Sequence, residues 1–385
     1  MTEKERMYAY WICSIPMIGG IRAGQLLERF GSPQAVYEAG VSGWKEILSD
    51  SVAEYMDRQK KSGGLQEEYC QLEEKQIRLV LREEPEFPEK LRKIPDPPYG
   101  IFYRGILPES MQPSVAVIGA RECSEYGRFV AEELGRYLGS RKIQVISGMA
   151  RGIDGVSQQA ALSAGGVSFG VLGCGVDICY PSQNRGLYEQ LQVSGGLIST
   201  YAPGIQPMPA FFPPRNRIVS GLSDAVIVIE ARRKSGTLIT VDMALEQGKD
   251  VYVVPGRITD RLSDGCNRLL TQGAGVFLSP ESFLEEFLEN WEKKQNIVGD
   301  DNSNSEKKKN AKRKRAAKEN TIKNLEASLQ WVYGLLDAVP KATEEILRDA
   351  WEKGEYPDIT TLNRKLMELE LMGYAKQNRP GYFSL

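Results

Sequence analysis

Two stretches decide the fold: Val115-Ala116-Val117-Ile118-Gly119-Ala120-Arg121 and Gln144-Val145-Ile146-Ser147-Gly148-Met149-Ala150-Arg151-Gly152-Ile153-Asp154. Each is a short apolar run, rich in β-branched residues, that ends on glycine and a cation. Continuous apolar runs suit strands of a parallel sheet buried on both faces. The pattern recurs at Val167–Leu172, Leu197–Ser199, Ala225–Ile229, Val251–Val254 and Val276–Leu278. Helical stretches such as Tyr126–Ser140, Asp154–Ala164 and Thr237–Gln247 lie between the runs. This alternation predicts right-handed crossovers and a Rossmann-like, doubly wound α/β domain with a mostly parallel sheet. Ligands of such folds sit at the carboxyl ends of the strands.

Those ends carry anion-binding chemistry. Gly119-Ala120-Arg121 follows the first strand, Ser147 to Asp154 the second, and Gly173-Cys174-Gly175 the third. Pro213-Pro214-Arg215-Asn216-Arg217 precedes the fifth strand, and Glu230-Ala231-Arg232-Arg233-Lys234-Ser235-Gly236-Thr237 follows it. Glycine lets a backbone approach a ligand closely, and Arg grips phosphate oxygens with two prongs. Ser235 or Thr237 can open the next helix, whose N-terminus favours an anion. Nucleotide-cofactor fingerprints are incomplete: Gly119 to Ser124 lacks two glycines of G-x-G-x-x-G, Gly173 to Ile178 lacks the third, and no Walker G-K-[ST] occurs. No cofactor and no catalytic residue is expected.

Outward from this domain the pattern changes. Residues 1–75 read as helical. Ile15 to Ala23, with adjacent Gly19 and Gly20, resembles a helix-hairpin-helix, although Met17 stands where that motif usually has its first glycine. A small helical bundle without DNA contact is the alternative. Ser32 and Pro33 open a further helix as cap and first turn. Residues 76–291 form the α/β domain. Residues 292–325 hold 11 basic and 5 acidic residues, including Lys307-Lys308-Lys309 and Lys312-Arg313-Lys314-Arg315, with few apolar ones. Such a segment reads as a flexible linker that either serves as a solvated spacer or adds phosphate contacts. Residues 326–385 read as three helices, Leu329–Leu336, Thr343–Trp351 and Thr360–Leu371, then a hairpin around Asn378-Arg379-Pro380, the order of a winged helix-turn-helix. That segment holds 7 basic and 10 acidic residues, which argues against DNA reading.

Composition sets the outer limits. The 385 residues carry 49 Lys and Arg against 51 Asp and Glu, so charge placement rather than total charge is the signal. There is no histidine, which excludes a Ser-His-Asp triad, a Cys-His nucleophile pair and a His-based zinc site. The six cysteines include no C-x-x-C pair and read as reduced in a cytoplasmic protein. The sequence shows no signal-peptide pattern and no apolar run of about 18 residues, so no membrane partner is expected.

Longer motifs now stand in order. They are Phe87-Pro88-Glu89-Lys90-Leu91, Ile94-Pro95-Asp96-Pro97-Pro98, Tyr103-Arg104-Gly105, Gly119-Ala120-Arg121, Ser147 to Asp154, and Gly173 to Asp177 with Tyr180-Pro181. Phe212 to Leu222, Ser235 to Thr240, Val254-Pro255-Gly256 and Gly265-Cys266-Asn267 continue the series. Together they resemble the DNA-processing protein A (DprA, also called Smf) family of naturally transformable bacteria, over about half the chain. The resemblance implies an extended Rossmann-like domain that binds single-stranded DNA in a basic pocket at the strand ends. It also implies a homodimer, and a role in competence and DNA recombination in which incoming strands are protected and passed to RecA. It implies no enzyme. By motif, Arg121 and Lys234 become the chief phosphate contacts, with Arg151, Arg215 and Arg217 secondary. Gly119, Ser147, Gly148, Gly152, Asn216, Ser235, Gly236 and Thr237 complete the expected DNA-binding set. For Arg151, Arg215 and Arg217 the alternative is ion pairing with Asp154, Asp224 or Glu230. The rival function on a related fold is a nucleotide phosphoribohydrolase, whose G-T-x-x-E motif needs a carboxylate where this chain has Thr240. A plain adaptor protein is a third possibility.

Overall fold

The computed structural model describes residues 1–298, 327–336, 341–352, 357–372, 374–379 and 382–384. The basic run of the expected linker lies outside the described residues. The chain forms two compact units, Met1–Glu292 and Lys293–Leu385.

The first unit opens with five helices: α1 (Glu3–Ser14), α2 (Gly20–Phe30), α3 (Pro33–Trp44), α4 (Asp50–Ser62) and α5 (Leu65–Glu74). Local chemistry marks their starts. Thr2 and Glu5 form a capping box on α1, and Ser32 caps α3 with Pro33 in its first turn. The turn between α1 and α2 serves packing: a Cβ on the buried Gly20 would sit 1.9 Å from the Pro97 carbonyl oxygen.

Then come β1 (Arg78–Leu81), α6 (Glu89–Arg92), β2 (Gly100–Gly105), β3 (Ser114–Ile118), α7 (Glu125–Ser140), β4 (Gln144–Ser147), α8 (Ile153–Ser163), β5 (Ser168–Val171), α9 (Arg185–Ser194) and β6 (Gly195–Ser199). After them run α10 (Phe212–Gly221), β7 (Ala225–Val228), α11 (Gly236–Glu246), β8 (Asp250–Val253), α12 (Asp264–Thr271), β9 (Gly275–Val276) and α13 (Pro280–Val298). The nine strands form one sheet in the order β1-β2-β6-β5-β4-β3-β7-β8-β9. From β6 to β9 every neighbour is parallel; β1 and β2 join antiparallel at one edge. The seven strands expected from the apolar runs are all present within a few residues. β1 and β2 were not expected.

Strand alternation divides the core. Ala116, Ile118, Val226 and Val228 pack on one face, while Val115, Val117, Ala225 and Ile227 pack on the other. A further cluster joins Trp11, Leu26, Trp44 and Met56 of the helices to Leu172, Cys174, Leu191 and Leu197 beside β5 and β6. Lys90 is clamped to the sheet: its Nζ donates to Asp224 at 2.7 Å and to the Ser114 hydroxyl at 2.8 Å. Burial lowers the Lys90 pKa against the pull of Asp224.

The second unit contains helices Ala327–Leu335, Thr343–Glu352 and Ile359–Leu371 and a small antiparallel sheet of Lys341–Ala342, Tyr382–Ser384 and Lys376–Arg379. Leu329, Val332, Ile346, Leu362, Leu366 and Leu369 fill its core. Pro380 and Gly381 of the expected hairpin turn lie outside the described residues.

Candidate nucleic-acid interface

β3 and β7 lie side by side, and the chain leaves them in opposite directions across the sheet. That is the topological switch point, where loops diverge and leave a crevice. A cavity of about 600 Å³ opens there. Its walls are the turn after β3 (Gly119 to Glu122), Gly148 and Ala150 after β4, the start of α10, the segment after β7, and Tyr180.

The floor is charged and buried. Arg215 is 5% exposed, and its Nη1 donates to the Gly148 carbonyl at 2.7 Å and to that of Val171. Asp154, in the first turn of α8, accepts from the Gly148 N–H at 3.0 Å. A Cβ on Gly148 would lie 2.6 Å from Arg215 Nη1 and 2.8 Å from Asp154 Oδ2, so only glycine fits between them. Burial raises the Asp154 pKa, with Arg215 the main opposing influence; burial likewise lowers that of Arg215.

Above the floor stand aromatic rings and free cations. Phe212 stacks on Tyr180 with centroids 5.7 Å apart. The Arg121 guanidinium lies 5.3 Å from the Phe212 centroid and that of Arg215 lies 5.7 Å from it. Arg121 and Arg232 both line the cavity, are exposed, and make no ion pair among the described residues. α11 points its N-terminus into the same space. Its cap, Ser235, makes no capping bond, and the Ser235 hydroxyl is buried without a partner. Thr237 Oγ1 donates to the Gly119 carbonyl at 3.2 Å and holds α11 against the β3 turn. An unsatisfied hydroxyl, a helix N-terminus and two unpaired guanidinia together form an anion receptor.

The structure gathers Gly119, Arg121, Gly148, Arg215, Asn216, Ser235, Gly236 and Thr237 in this one cleft. The other expected residues lie elsewhere. Ser147 is buried and donates to the Val117 carbonyl at 2.6 Å. Arg217 points away, donating to the Asp96 carbonyl with the Asp96 carboxylate 3.6 Å off. Arg151 and Gly152 line a neighbouring cleft. Lys234 is exposed on the loop between Arg232 and Ser235 without lining the cavity. Of the anticipated acidic partners, Asp154 lies beside Arg215, Asp224 is taken by Lys90, and Glu230 accepts from the Ser124 N–H and hydroxyl. Arg232, Tyr180 and Phe212 were not singled out as site residues. Their signals were an Arg beside Lys234 and aromatics within two quoted motifs. The rival motif's carboxylate position is held by Thr240, which lines the cavity. Among the described residues no cluster of three or more acidic or thiol side chains could hold a metal, and no helix is long and apolar enough to cross a membrane.

Comparison with known proteins agrees with the placement of these motifs. Residues 78–288 match the family described as DNA recombination-mediator protein A. The chain is 37% identical over 259 residues to the DNA processing protein DprA of Streptococcus pneumoniae, covering 66% of this chain and 91% of that protein. It is 38% identical over 223 residues to the Smf protein of Escherichia coli, covering 58% of this chain and 60% of that protein. Among solved structures, DNA processing protein A of Streptococcus pneumoniae superposes with a TM-score of 0.63 at 33% identity, over 73% of this chain and 98% of that one. DNA processing protein A of Helicobacter pylori, described for its single-stranded DNA binding mode, superposes with a TM-score of 0.50 at 28% identity, over 56% of this chain and 97% of that one.

Proposed function

Since this chain belongs to the DNA recombination-mediator protein A family, we propose that it binds single-stranded DNA at the β3/β7 cleft, shields the strand and passes it to RecA. The observation that carries the reading is the joint presence of the partnerless Ser235 hydroxyl at a helix N-terminus, the unpaired Arg121 and Arg232, and the Tyr180–Phe212 stack. Cations track phosphates and aromatic faces take bases of any identity, which is how single strands are held without sequence readout. The relative from Helicobacter pylori, titled for its single-stranded DNA binding mode, supports the same ligand. Its setting is natural transformation in the cytoplasm, and the protein acts by binding rather than catalysis. The expected result of a salt series is a steep loss of affinity for single strands and weaker binding to blunt duplex throughout. Equal or tighter binding to duplex refutes the proposal.

The acting form is a homodimer. β9 forms the outer edge of the sheet with Val276 and Leu278 half or more exposed, an edge that invites pairing. The sequence pattern suggests Leu269 and Leu270 of the preceding helix as an extension of that patch, but Leu269 is buried and Leu270 packs partly buried against the core. Light scattering at micromolar concentration is expected to give twice the chain mass; a monomer refutes this assembly.

The C-terminal unit is best read as a winged helix that docks protein rather than DNA. Leu362, Leu366 and Leu369 of its third helix face its own core, while Ile359, Met367 and Leu371 are exposed, Leu371 at 90%. The outer face of the helix that would enter a groove is thus partly apolar, and the segment's net charge opposes a polyanion. Deleting residues 326–385 while keeping the chain through Lys323 is expected to change single-strand affinity by less than about threefold, under ~0.7 kcal/mol. A larger loss in a folded truncation overturns this role.

A further inference from the structure

We propose that a second cleft, between α7 and the start of α9, carries the continuation of the same DNA strand. The inference rests on the reading of the first cleft as a single-strand site. The second cavity also measures about 600 Å³ and is lined by Arg128, Arg136 and Arg151, with Glu132 as its one carboxylate. Arg136 is engaged by Glu132 and Glu133, each at 2.7 Å, and Arg128 has Glu125 only at 4.0 Å. Arg151 is exposed and makes no ion pair among the described residues. Two guanidinia are therefore available to phosphates.

The same helix supplies a stacking face. Phe129, next after Arg128 on α7, is 64% exposed, a large apolar ring turned to solvent at the rim of this cleft's helix; Tyr126, 53% exposed, lies about 200° around the helix axis from Arg128. Exposed aromatics interleaved with arginines are the surface a single strand uses, with bases on rings and phosphates on cations. The two clefts meet across one short ridge. Ala150 lines the first, and Arg151 with Gly152 lines the second. The ridge is held from both sides. Asn184 Nδ2 donates to the Met149 and Ala150 carbonyls at 3.0 and 2.9 Å. Gly152, at φ +72°, packs so tightly under the β3 turn that a Cβ would lie 2.2 Å from the Ala120 carbonyl oxygen. A strand leaving the first cleft over this ridge enters the second without a gap in positive charge.

The test is the length dependence of binding, measured by anisotropy with oligothymidylates of about 5 and about 20 nucleotides. The full-length protein and the variants Arg151→Glu, Phe129→Ala and Arg121→Ala are compared. Wild type is expected to hold the longer strand more tightly. Arg151→Glu is expected to weaken the longer strand about tenfold and the shorter less than twofold, with Phe129→Ala following the same pattern at smaller size. Arg121→Ala weakens both lengths. The second track is overturned if wild type gains nothing from length, if both second-cleft variants bind the longer strand like wild type, or if they weaken both lengths equally. Loss of length dependence in those variants while Arg121→Ala leaves both lengths untouched instead overturns the first-cleft reading.

Discussion

Arg121→Ala weakens single-stranded DNA binding by about 1–3 kcal/mol, the range for charge-assisted hydrogen bonds lost without replacement. The side chain is exposed at the mouth of the switch-point cleft and carries no competing ion pair among the described residues. Its removal therefore subtracts a phosphate contact and leaves no buried charge behind. The fold is expected to stand, because the residue is exposed on a turn after β3, its guanidinium over the Phe212 ring. Lys234→Ala acts at the rim, beside Arg232, and is expected at the low end of the same range. Anisotropy with a labelled oligonucleotide at fixed salt checks both. Two folded variants with wild-type affinity would remove the cleft from the binding path.

Arg215→Ala produces the largest loss of stability, about 3–5 kcal/mol, because it strands a buried carboxylate. Asp154 keeps its Gly148 N–H but loses the attraction of a buried guanidinium, its largest opposing influence to burial. The Gly148 and Val171 carbonyls lose their donor as well. Urea unfolding reads the effect directly. Pairing Arg215→Met with Asp154→Asn is expected to recover part of the loss, since the two buried charges attract each other across Gly148 without direct contact and are then removed together. A single-variant loss below about 1 kcal/mol would mean that the two buried charges do not depend on each other.

Much of this was written locally in the chain. The parallel strands announce themselves as uninterrupted Val, Ile and Ala runs because helices cover both faces of the sheet. β1 and β2 carry a weaker signal because they are short and antiparallel, outside the strand-helix alternation, one opening on Arg78 and the other ending in Arg104-Gly105. The loops of the cleft were legible from glycine next to cation. The direction of each cation was not. Arg215 and Arg217 stand two apart in one motif and look equivalent in a loop. On α10 they are about 200° apart around the helix axis, so one reaches the cleft floor and the other faces Asp96. Arg151 is separated from Arg121 by the Gly152 ridge, a close approach that no spacing rule encodes. The Tyr180–Phe212 wall joins residues from distant segments, so nothing local signals it.

The cluster that joins Trp11, Leu26 and Trp44 to Leu172 and Leu197 ties folding to ligand occupancy across the whole first unit. Neither the helices nor that part of the sheet can cover its apolar surface without the other, so global opening of one opens both. A strand bound only to the folded cleft then lowers the population of that opened state everywhere, by about 2.7 kcal/mol at a hundredfold excess over the dissociation constant. Amide protons of α1 and α3 that exchange through global unfolding are slowed by a ligand those helices never touch.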